Sequence, residues 1–457
     1  MSAPSAPIVI AGAGLAGALL AAQLARHGHR VAVYERRGDL RREHVAAGRS
    51  INLALARRGW EGLQRADATA QVLDYAIPMR GRMLHDRAGQ TQFQTYGLEA
   101  DEVIWSVHRG RLNQTLIDVA ADSGANLHFH SRLDRVDFEA RVAHFVDERD
   151  QSEVDVEFEV LIGADGAGSA VRAAMEAEKP LGQHIEFLDH GYKELTIPPR
   201  ADGSPALDPA ALHIWPRGGY MLIALPNPDQ SFTCTLFLPH AGAISFADLE
   251  DAASARALFQ RDFADALALI PDFDLQYQVH PVGPLGTLRC PRWFRGDRAL
   301  LIGDAAHAIV PFHGQGMNCA FEDCVALLDL IVQARQAYRI DWASVFADFE
   351  SARRPNAHAI AQMALENYVE MRDSVADPEY QLRRQLELEL AQRLPGHFIP
   401  RYSMVMFTTI PYALARERGA LQRALLEQLT QGKQSLGEID LDAATRLAAE
   451  RIPALAP

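Results

Sequence analysis

Ile8-Val-Ile-Ala-Gly-Ala-Gly-Leu-Ala-Gly17 sets the architecture of the first part of this chain. An apolar run, Ile8 to Ala11, leads into three glycines spaced Gly-x-Gly-x-x-Gly, and Leu15 to Arg26 is rich in alanine and leucine. Val31-Ala-Val-Tyr-Glu35 follows as a second apolar run that ends in an acidic residue. Strand, glycine loop, helix and second strand in this order are the context that a dinucleotide-binding fold requires.

Each glycine of this loop has its own physical role. Gly12 permits a tight turn, Gly14 lets the backbone approach a pyrophosphate, and Gly17 lets the helix pack closely on its strand. The helix that begins at Leu15 offers free amides and positive potential to the phosphates. Glu35 is placed to accept hydrogen bonds from a ribose, and its charge would repel a 2′-phosphate. The loop is therefore not predicted to be an NADPH site.

Length, charge and apolar patterning bound the class of protein. The 457 residues suffice for two or three domains. A net charge of −14 argues against a nucleic-acid surface and against adsorption to anionic membranes. No apolar stretch approaches the roughly 18 residues of a membrane-spanning helix, and the N-terminus lacks the pattern of a cleavable signal. We therefore expect a soluble, cytoplasmic protein with neither nucleic acid nor membrane as a partner.

The cysteines predict neither a disulfide framework nor a metal site. There are four of them, Cys234, Cys290, Cys319 and Cys324. Cys319 and Cys324 briefly suggest a redox pair, but they fall in a predicted helix, where an offset of five residues places side chains on different faces. We expect buried thiols.

Two further glycine motifs follow apolar runs. The first is Val160-Leu-Ile-Gly-Ala-Asp-Gly166, which continues through Ser169-Ala-Val-Arg172 into a predicted helix. The second contains Gly303-Asp304 and lies shortly before Gly314-Gln-Gly-Met-Asn318. The segment from Gly314 to Asn318 opens a long helix predicted over Gly316 to Tyr338.

The three motifs in this order resemble the single-component FAD-dependent aromatic hydroxylases, a family of flavoprotein monooxygenases. The resemblance implies an α/β fold with a Rossmann-like FAD-binding domain, an inserted β-sheet substrate domain and a C-terminal helical region. Polar and apolar residues alternate from Ser231 to Leu238, which is typical of a strand with one buried face. The predicted divisions are residues 1–75, 100–180 and 285–338 for FAD, 76–99 and 181–284 for the substrate domain, and 339–457 for the helical region.

The resemblance also assigns residues to the cofactor. The family's aspartate at the position of Asp304 binds the ribityl chain of FAD. The amides of Met317 and Asn318 would point at the pyrimidine edge of the flavin, where a helix N-terminus stabilises negative charge. The full set expected to bind FAD is Gly12, Gly14, Leu15, Gly17, Glu35, Arg36, Ala54, Arg109, Leu133, Asp165, Asp304, Gly316, Met317 and Asn318.

Six blocks carry a finer resemblance, covering the chain from about Ile8 to about Tyr412. They are similar to the branch of the family that hydroxylates L-kynurenine, an aniline with an amino-acid tail. The blocks are Gly48 to Leu55, Ile77 to Met83, His213 to Arg217, Pro311 to Asn318, Glu366 to Arg372, and Phe398 to Tyr402.

An amino-acid carboxylate needs a fork of donors, which a guanidinium supplies best. The resemblance assigns this role to Arg82, with Tyr96 as a hydroxyl partner. Asn367 and Tyr402 would complete the clamp from the C-terminal helical region. Arg80 offers the same chemistry two residues earlier, and only the resemblance selects Arg82.

The remaining substrate-site candidates would border the aromatic ring. By motif placement His313 lies beside the flavin, and either a polar contact or a packing role is open to it. The candidate apolar walls are Ile223, Leu225, Phe237 and Phe312.

The implied reaction needs no acid or base from the protein. In this family NADPH reduces FAD, O2 adds to the flavin as a C4a-hydroperoxide, and its distal oxygen attacks the ring to give 3-hydroxykynurenine. The neutral amino group of the aniline activates the adjacent carbon. The protein's part is orientation and exclusion of water.

Three other functions stay open on the residues alone. The first is a related flavoprotein hydroxylase of another aromatic acid. The second is a flavin dehydrogenase or oxidase, and the third is a non-catalytic FAD-binding protein. Oligomeric state is likewise open, with a homodimer as the form to test.

Overall fold

A computed structural model describes residues 6–43, 52–335, 340–374 and 377–455. Part of the block from Gly48 to Leu55, residues 48–51, lies outside this range. The chain divides into two compact units. The first comprises Met1–Ala76, Val107–Phe187 and Gly286–Ala361, and the second comprises Ile77–Ser106, Leu188–Leu285 and Gln362–Pro457. The division into three regions stays a prediction.

In the described residues the strands are β1 (Ile8–Ala11), β2 (Val31–Tyr34), β3 (Asn52–Leu55), β4 (Ile77–Met79), β5 (Gly81–His85), β6 (Thr91–Thr95), β7 (Ile104–His108), β8 (Asn126–His128), β9 (Ser131–Asp137), β10 (Val142–Asp147), β11 (Glu153–Glu157), β12 (Val160–Gly163), β13 (His184–Ile197), β14 (Ala211–Pro216), β15 (Met221–Pro226), β16 (Phe232–Pro239), β17 (Gly283–Arg289), β18 (Phe294–Arg295) and β19 (Ala299–Leu301). The α-helices are α1 (Leu15–Arg26), α2 (Arg57–Arg65), α3 (Thr69–Leu73), α4 (Arg109–Asp122), α5 (Ala170–Glu178), α6 (Ala252–Asp262), α7 (Ala264–Leu267), α8 (Phe273–Val279), α9 (Asp304–His307), α10 (Gly316–Ala334), α11 (Trp342–Val369), α12 (Pro378–Arg393), α13 (Arg401–Met406), α14 (Tyr412–Thr430) and α15 (Leu441–Arg451). Short 3₁₀ segments occur at Pro311–His313 and Leu436–Glu438, and a π-helical segment at Glu370–Ser374.

The first unit is built on a six-stranded sheet with the order β18-β19-β12-β1-β2-β8. Strand β1 pairs in parallel with both β2 and β12, and β12 pairs in parallel with β19. Every residue of β1, β12 and β19 is buried, as expected for a parallel sheet that is covered on both faces. The predicted strand Ile8–Ala11 and helix Leu15–Arg26 are confirmed to the residue.

A small second sheet and a long helix also belong to the first unit. Strands β9, β10 and β11 form a small antiparallel sheet. Helix α10 packs against α1 and α2, and its inward side is lined by apolar residues such as Phe321 and Leu328. The helix ends at Ala334, before the predicted end at Tyr338, and residues 336–339 lie outside the described part of the chain.

Most of a seven-stranded sheet with the order β17-β13-β16-β15-β14-β5-β6 belongs to the second unit, which includes β13 from Leu188 onward and β17 up to Leu285. Side chains alternate between its two faces, and directly paired residues share a face. One face, carrying Trp215, Leu222 and Leu236, belongs to a buried core with Phe259 of α6 and Phe273 of α8. The alternation from Ser231 to Leu238 predicted one buried face, but every residue from Phe232 to Leu238 is buried. The apolar side chains of one face pack on the helices, and Thr233, Thr235 and Phe237 are covered on the other face.

The C-terminal part of the second unit is helical, as the sequence predicts. Pro378 is the first residue of α12, where its missing N–H costs nothing, and Pro400 and Pro411 directly precede α13 and α14. The residue that sequence reasoning passed over is Pro355, which lies inside α11 without ending it. Among the described residues, no helix has the length and apolar character needed to cross a membrane.

Candidate active site

The first glycine loop has the geometry that a bound pyrophosphate needs. Gly12 has a φ of 99°, and a Cβ there would lie 2.6 Å from the carbonyl oxygen of Ala164. A Cβ at Gly17 would lie 2.0 Å from the carbonyl oxygen of Gly12. By contrast, a Cβ at Gly14 would meet nothing described within 4 Å. The loop is thus closed on its protein side and open at Gly14, next to the first turn of α1.

Glu35 lies at the end of β2 with its carboxylate held in place. Its Oε2 accepts a hydrogen bond from the Ala13 amide at 2.9 Å. Its Oε1 accepts from the Arg37 amide at 3.0 Å and from Arg37 Nε at 2.8 Å. Burial raises the pKa of Glu35, but hydrogen bonding and the charge of Arg37 outweigh it, so the pKa is below its ordinary value. The partner that the motif did not identify is Arg37. Arg37 and Arg36 are both exposed, and the assignment of Arg36 to the cofactor stays a prediction.

The motif at Gly303-Asp304 forms a sharp turn after β19. Gly303 has a φ of 55° and a ψ of −140°, a conformation open essentially to glycine. Its carbonyl accepts the amides of Ala306 and His307, each at 2.9 Å. Asp304 begins the short helix α9 and is exposed. A carboxylate in this position is free to accept hydrogen bonds from a polyol such as a ribityl chain.

The N-terminus of α10 is fixed by one buried side chain. Asn318 Oδ1 accepts from the Ala56 amide at 2.9 Å. Its Nδ2 donates to the carbonyl oxygens of Ala54 and Gly314, both at 2.8 Å. Gly314 has a φ of 62°, and a Cβ there would lie 2.8 Å from Ala54. Asn318 thus joins β3 to the loop before α10, so its side chain supports the site while its backbone amide stays available.

The first turn of α10 offers amides to a ligand. It has no capping side chain and no acidic residue. Gly316 and Met317, both assigned to FAD, are half-buried in this turn. Leu15 has the same half-buried position in the first turn of α1, which also lacks a capping side chain. Both helix N-termini therefore present positive potential without an internal anion to neutralise it.

Asp165 has a structural contact besides any cofactor contact. Its Oδ2 accepts the amides of Ala170 and Val171, at 2.6 and 3.2 Å, and so caps α5. Among the described residues its buried Oδ1 has no hydrogen-bond partner. Burial raises the pKa of this carboxyl. The other assigned cofactor residues are Arg109, exposed at the start of α4, and Leu133, buried in β9.

The structure brings together three of the four residues predicted to clamp the substrate. The guanidinium carbon of Arg82 lies 4.8 Å from the ring centre of Tyr402 and 5.9 Å from that of Tyr96. The two rings are stacked at 5.7 Å. Arg82 is buried, and its Nε has no hydrogen-bond partner among the described residues. Asn367 is buried on α11, where its amide contacts Met371 Sδ at 3.2 Å.

Three polar residues near this cluster were missed by the sequence reasoning. Tyr380 donates to Glu370 Oε1 at 2.7 Å, and Arg384 donates to the carbonyl of Tyr96 at 2.9 Å. Burial, with the charge of Glu370, raises the pKa of Tyr380. Glu370 lies in the Glu366 to Arg372 block, which was a usable signal. The other two lie on α12, whose charged sequence contains no motif.

Strand register relates Arg82 to the predicted apolar walls. Arg82 pairs with Leu212, two residues before Ile214, which pairs with Ile223. Ile223, Leu225 and Phe237 therefore share with Arg82 the sheet face opposite the helical core. Their role toward substrate stays a prediction. Phe312 and His313 belong to the 3₁₀ turn of the first unit, where both are buried.

One buried group in the first unit could in principle hold a metal ion. His307, Cys319 and Asp323 bring potential ligand atoms within 4.8 Å of one another. However, Arg353 Nε donates to Asp323 Oδ1 at 2.8 Å, and Arg353 Nη2 lies 3.6 Å from Cys319 Sγ. Burial raises the pKa of the Cys319 thiol well above its ordinary value. A guanidinium already balances the carboxylate, and a protonated thiol is a poor ligand.

Comparison with known protein families and curated proteins identifies the relatives of this chain. The family model described as "FAD binding domain" matches residues 5–364. A Stenotrophomonas maltophilia protein named kynurenine 3-monooxygenase is 56% identical over 436 residues, covering 95% of each chain. Proteins of the same name from Xanthomonas axonopodis pv. citri and Xanthomonas campestris pv. campestris are 55% and 53% identical, covering 95% and 96% of each chain.

Two solved structures show a similar fold. The tetrameric form of 2-methyl-3-hydroxypyridine-5-carboxylic acid oxygenase has a TM-score of 0.65 and 19% identity, covering 82% of this chain and 95% of that one. Pseudomonas aeruginosa PqsL in complex with 2-aminobenzoylacetate has a TM-score of 0.65 and 20% identity, covering 81% and 97%. At such identities the likeness concerns the fold alone. It confirms the predicted α/β fold with an additional sheet and C-terminal helices.

Proposed function

Because the chain belongs to the kynurenine 3-monooxygenase family, we propose that it hydroxylates L-kynurenine to 3-hydroxykynurenine with bound FAD, NADPH and O2. The observation that carries the proposal is the buried guanidinium of Arg82 beside the stacked rings of Tyr96 and Tyr402. A buried cation with an unpaired Nε, on a sheet face that also carries Ile223, Leu225 and Phe237, suits the carboxylate of an aromatic amino acid.

The clamp gives each side chain a distinct task. Arg82 donates to the substrate carboxylate. The hydroxyls of Tyr96 and Tyr402 stay protonated, because burial holds the pKa of each above its ordinary value. Both can therefore donate to the same carboxylate. We assign Asn367 to the amino-acid tail as well, since it is buried on α11 within the same unit.

FAD fits the residues of the first unit. The open space at Gly14 and the uncapped first turn of α1 suit the pyrophosphate. Glu35 Oε2 keeps a lone pair for the adenosine ribose after accepting the Ala13 amide. Asp304 is exposed for the ribityl chain, and the uncapped first turn of α10 suits the pyrimidine edge of the flavin. When bound, FAD supplies the redox chemistry that takes electrons from NADPH and activates oxygen.

The protein's own contribution is orientation, not proton transfer. The aniline nitrogen of L-kynurenine is neutral near pH 7, so it activates its ring without a base. Arg82 fixes the tail, and the face carrying Ile223, Leu225 and Phe237 gives the ring an apolar surface that excludes water. We assign the contact beside the flavin to Phe312 and His313, and no side chain is given the role of acid or base.

NADPH, location and assembly are further parts of the proposal. Glu35 would repel a 2′-phosphate, so NADPH binds outside the first glycine loop as a transient co-substrate. The net charge of −14 is compatible with a cytoplasmic enzyme. A homodimer is the assembly that we would test first, by light scattering.

The decisive experiment measures NADPH consumption by the purified yellow protein, with and without L-kynurenine. We expect stimulation by L-kynurenine and a product heavier by one oxygen atom in the mass spectrum. Hydroxylation of a different aromatic acid would make the chain a related hydroxylase. Hydrogen peroxide in stoichiometric yield without hydroxylated product would indicate an oxidase, and bound FAD with no NADPH oxidation would indicate a non-catalytic protein.

A further inference from the structure

The turn at Gly303 is held by a side chain that the active-site description leaves out. Glycine adopts the conformation of Gly303 without steric cost, so the residue permits this turn but does not by itself fix it. Its amide donates to Asp323 Oδ2 at 3.1 Å. Asp323 lies 20 residues later, on α10, and its side chain is completely buried. A helix that begins at the flavin site is therefore bonded to the turn that presents Asp304.

Asp323 is itself fixed from two other directions. Its Oδ2 also accepts from His307 Nε2 at 2.6 Å, and its Oδ1 accepts from Arg353 Nε at 2.8 Å. His307 is the last residue of α9, the helix that Asp304 begins. Both ends of this four-residue helix are thus tied to one carboxylate.

The charges in this cluster make its geometry rigid. Arg353 also pairs with Glu322 at 2.8 Å, and Glu322 pairs with Arg58 at 3.2 Å. Burial raises the pKa of Asp323, but His307 and Arg353 outweigh it, so the pKa is below its ordinary value. Removing one partner from a buried pair leaves an uncompensated charge, which is strongly unfavourable. The carboxylate cannot shift without breaking several of these contacts.

A second anchor converges on the same turn. Arg172, at the start of α5, donates to the carbonyl of Ala305 at 2.8 Å and also to the carbonyl of Ala167. The backbone on both sides of Asp304 is therefore bonded, while the Asp304 side chain remains exposed. Such anchoring is expected where the direction of one carboxylate matters, because a ligand gains most from a preorganised partner.

We propose that Asp323 is a positioning residue for FAD: with His307 and Arg353 it fixes the Gly303 turn so that Asp304 is aimed at the ribityl chain. The inference rests on the proposed FAD site. Asp323 acts through the turn and touches neither cofactor nor substrate. This role of Asp323 predicts that the loss of its carboxylate lowers FAD affinity only when Asp304 is present.

The test is FAD titration of the apoprotein by fluorescence quenching. Asp323→Asn should raise the FAD dissociation constant by about tenfold, which is the usual effect of losing a hydrogen bond to a charged group. Asp329→Asn is the matched control, since Asp329 lies on the same helix in an exposed pair with Arg65 and should leave the affinity unchanged.

A double-mutant cycle separates positioning from general support. If Asp323 acts by aiming Asp304, then Asp323→Asn should have little further effect on FAD affinity in the Asp304→Ala background. Additive losses would overturn the proposal, because a merely structural role acts equally in both backgrounds. An unchanged affinity for Asp323→Asn, with Asp304→Ala weakened, would also overturn it.

A second pair of variants covers the case in which Asp323→Asn does not fold. His307→Leu removes a donor to Asp323, and His307→Gln keeps an amide donor. His307→Leu should lower the affinity for FAD, and this loss should largely disappear in the Asp304→Ala background. His307→Gln should bind FAD nearly as tightly as the parent does. Equal FAD affinity of His307→Leu and the parent would overturn the proposal. A parent protein that binds no FAD would instead refute the proposed function.

Discussion

In the proposed clamp, Arg82 is the residue on which recognition of L-kynurenine should most depend. Arg82→Ala should cost about 2–5 kcal/mol in apparent affinity for L-kynurenine, because the substrate carboxylate is left partly desolvated and unpaired. The variant should keep its FAD, since Arg82 lies in the second unit and the residues that we assign to FAD lie in the first. NADPH oxidation should persist at its basal rate and lose its stimulation by L-kynurenine, measured at concentrations that saturate the parent.

Arg80→Ala is the matched control, because the Arg80 side chain is exposed two residues away and the hydrogen bonds of Arg80 to the sheet are made by its backbone. It should behave almost as the parent does. Loss of stimulation in Arg80→Ala with retention in Arg82→Ala would mean that the assignment is out of register. If neither change matters, the substrate is not held through a carboxylate at this strand.

Glu35 provides the corresponding test for the cofactor. Glu35→Ala should weaken the binding free energy of FAD by about 1–3 kcal/mol, because a charge-assisted hydrogen bond to the adenosine ribose is lost. Titration of the apoprotein measures the change. Asp67→Asn, which disrupts only the exposed pair with Arg26, should have no effect. An FAD dissociation constant that is the same for Glu35→Ala and the parent would contradict the placement of the ribose.

Single residues were predictable from sequence where a backbone constraint fixes them. Gly12 and Gly17 cannot carry a Cβ, so the motif that names them has a direct geometric cause. The pair between Arg37 and Glu35 was not predictable, because only the turn after β2 determines which neighbour folds back on Glu35. Asp323 carries no motif signal, since a buried carboxylate looks like any acidic residue of a helix until its partners are known.

At the level of elements, the seven-stranded sheet contains a buried histidine pair. His85 Nε2 lies 2.9 Å from His213 Nδ1, and His85 Nδ1 lies 2.8 Å from Asp265 Oδ2. His213 also bonds to the carbonyl of Asp208. Burial, with a smaller effect of the nearby His85, lowers the pKa of His213 to about 4 despite the raising effects of Asp208 and Asp265.

This pair predicts acid sensitivity over a defined pH window. The folded state holds His213 neutral, whereas the unfolded chain protonates this side chain near pH 6.5. The contribution of His213 to the free energy of unfolding is therefore complete above pH 6.5 and is lost as the pH falls to about 4. The loss should approach about 3 kcal/mol of unfolding free energy. Urea unfolding with saturating FAD, followed by tryptophan fluorescence, measures it. Trp215 stacks on His85 at 4.0 Å and reports locally.

His213→Gln should flatten this pH dependence, because an amide keeps hydrogen bonding without titrating. His184→Gln is the control, since His184 is exposed in a surface pair with Glu186. A slope between pH 6.5 and 4 that is unaltered in His213→Gln would assign the acid sensitivity to other groups.

Helices and strands were predictable where the spacing of apolar residues follows one regular period within a short segment. Helix α1 and strand β1 match their predicted bounds because the apolar period and the glycines agree. Helix α11 was harder, since Pro355 normally ends a helix, and here tertiary packing of the buried residues around it overrides that tendency. The π-helical segment at Glu370–Ser374 has no sequence signature at all.

For the whole molecule, the order of the motifs predicted the fold class but not the connections between distant segments. Gly12, Gly163 and Gly303 are separated by long stretches, yet β1, β12 and β19 belong to one sheet. Strand β5 pairs with β14 across a separation in sequence of about 130 residues, a pairing that no local pattern specifies. Family resemblance supplied this information, because it carries the topology that hydrophobic periodicity lacks.

The two-unit architecture makes a prediction about where each ligand acts. FAD should protect backbone amides from hydrogen exchange in the first unit, above all in the first turns of α1 and α10 and around Gly303, because a ligand that binds only the folded state lowers local opening. L-kynurenine, added to the FAD-bound protein, should protect β5 and the segment around Tyr402 in the second unit. Arg82→Ala should abolish the second protection and leave the first intact. Exchange measured peptide by peptide distinguishes these patterns. If FAD protected mainly the second unit, or if L-kynurenine protection survived in Arg82→Ala, the separation of cofactor and substrate tasks between the two units would be wrong.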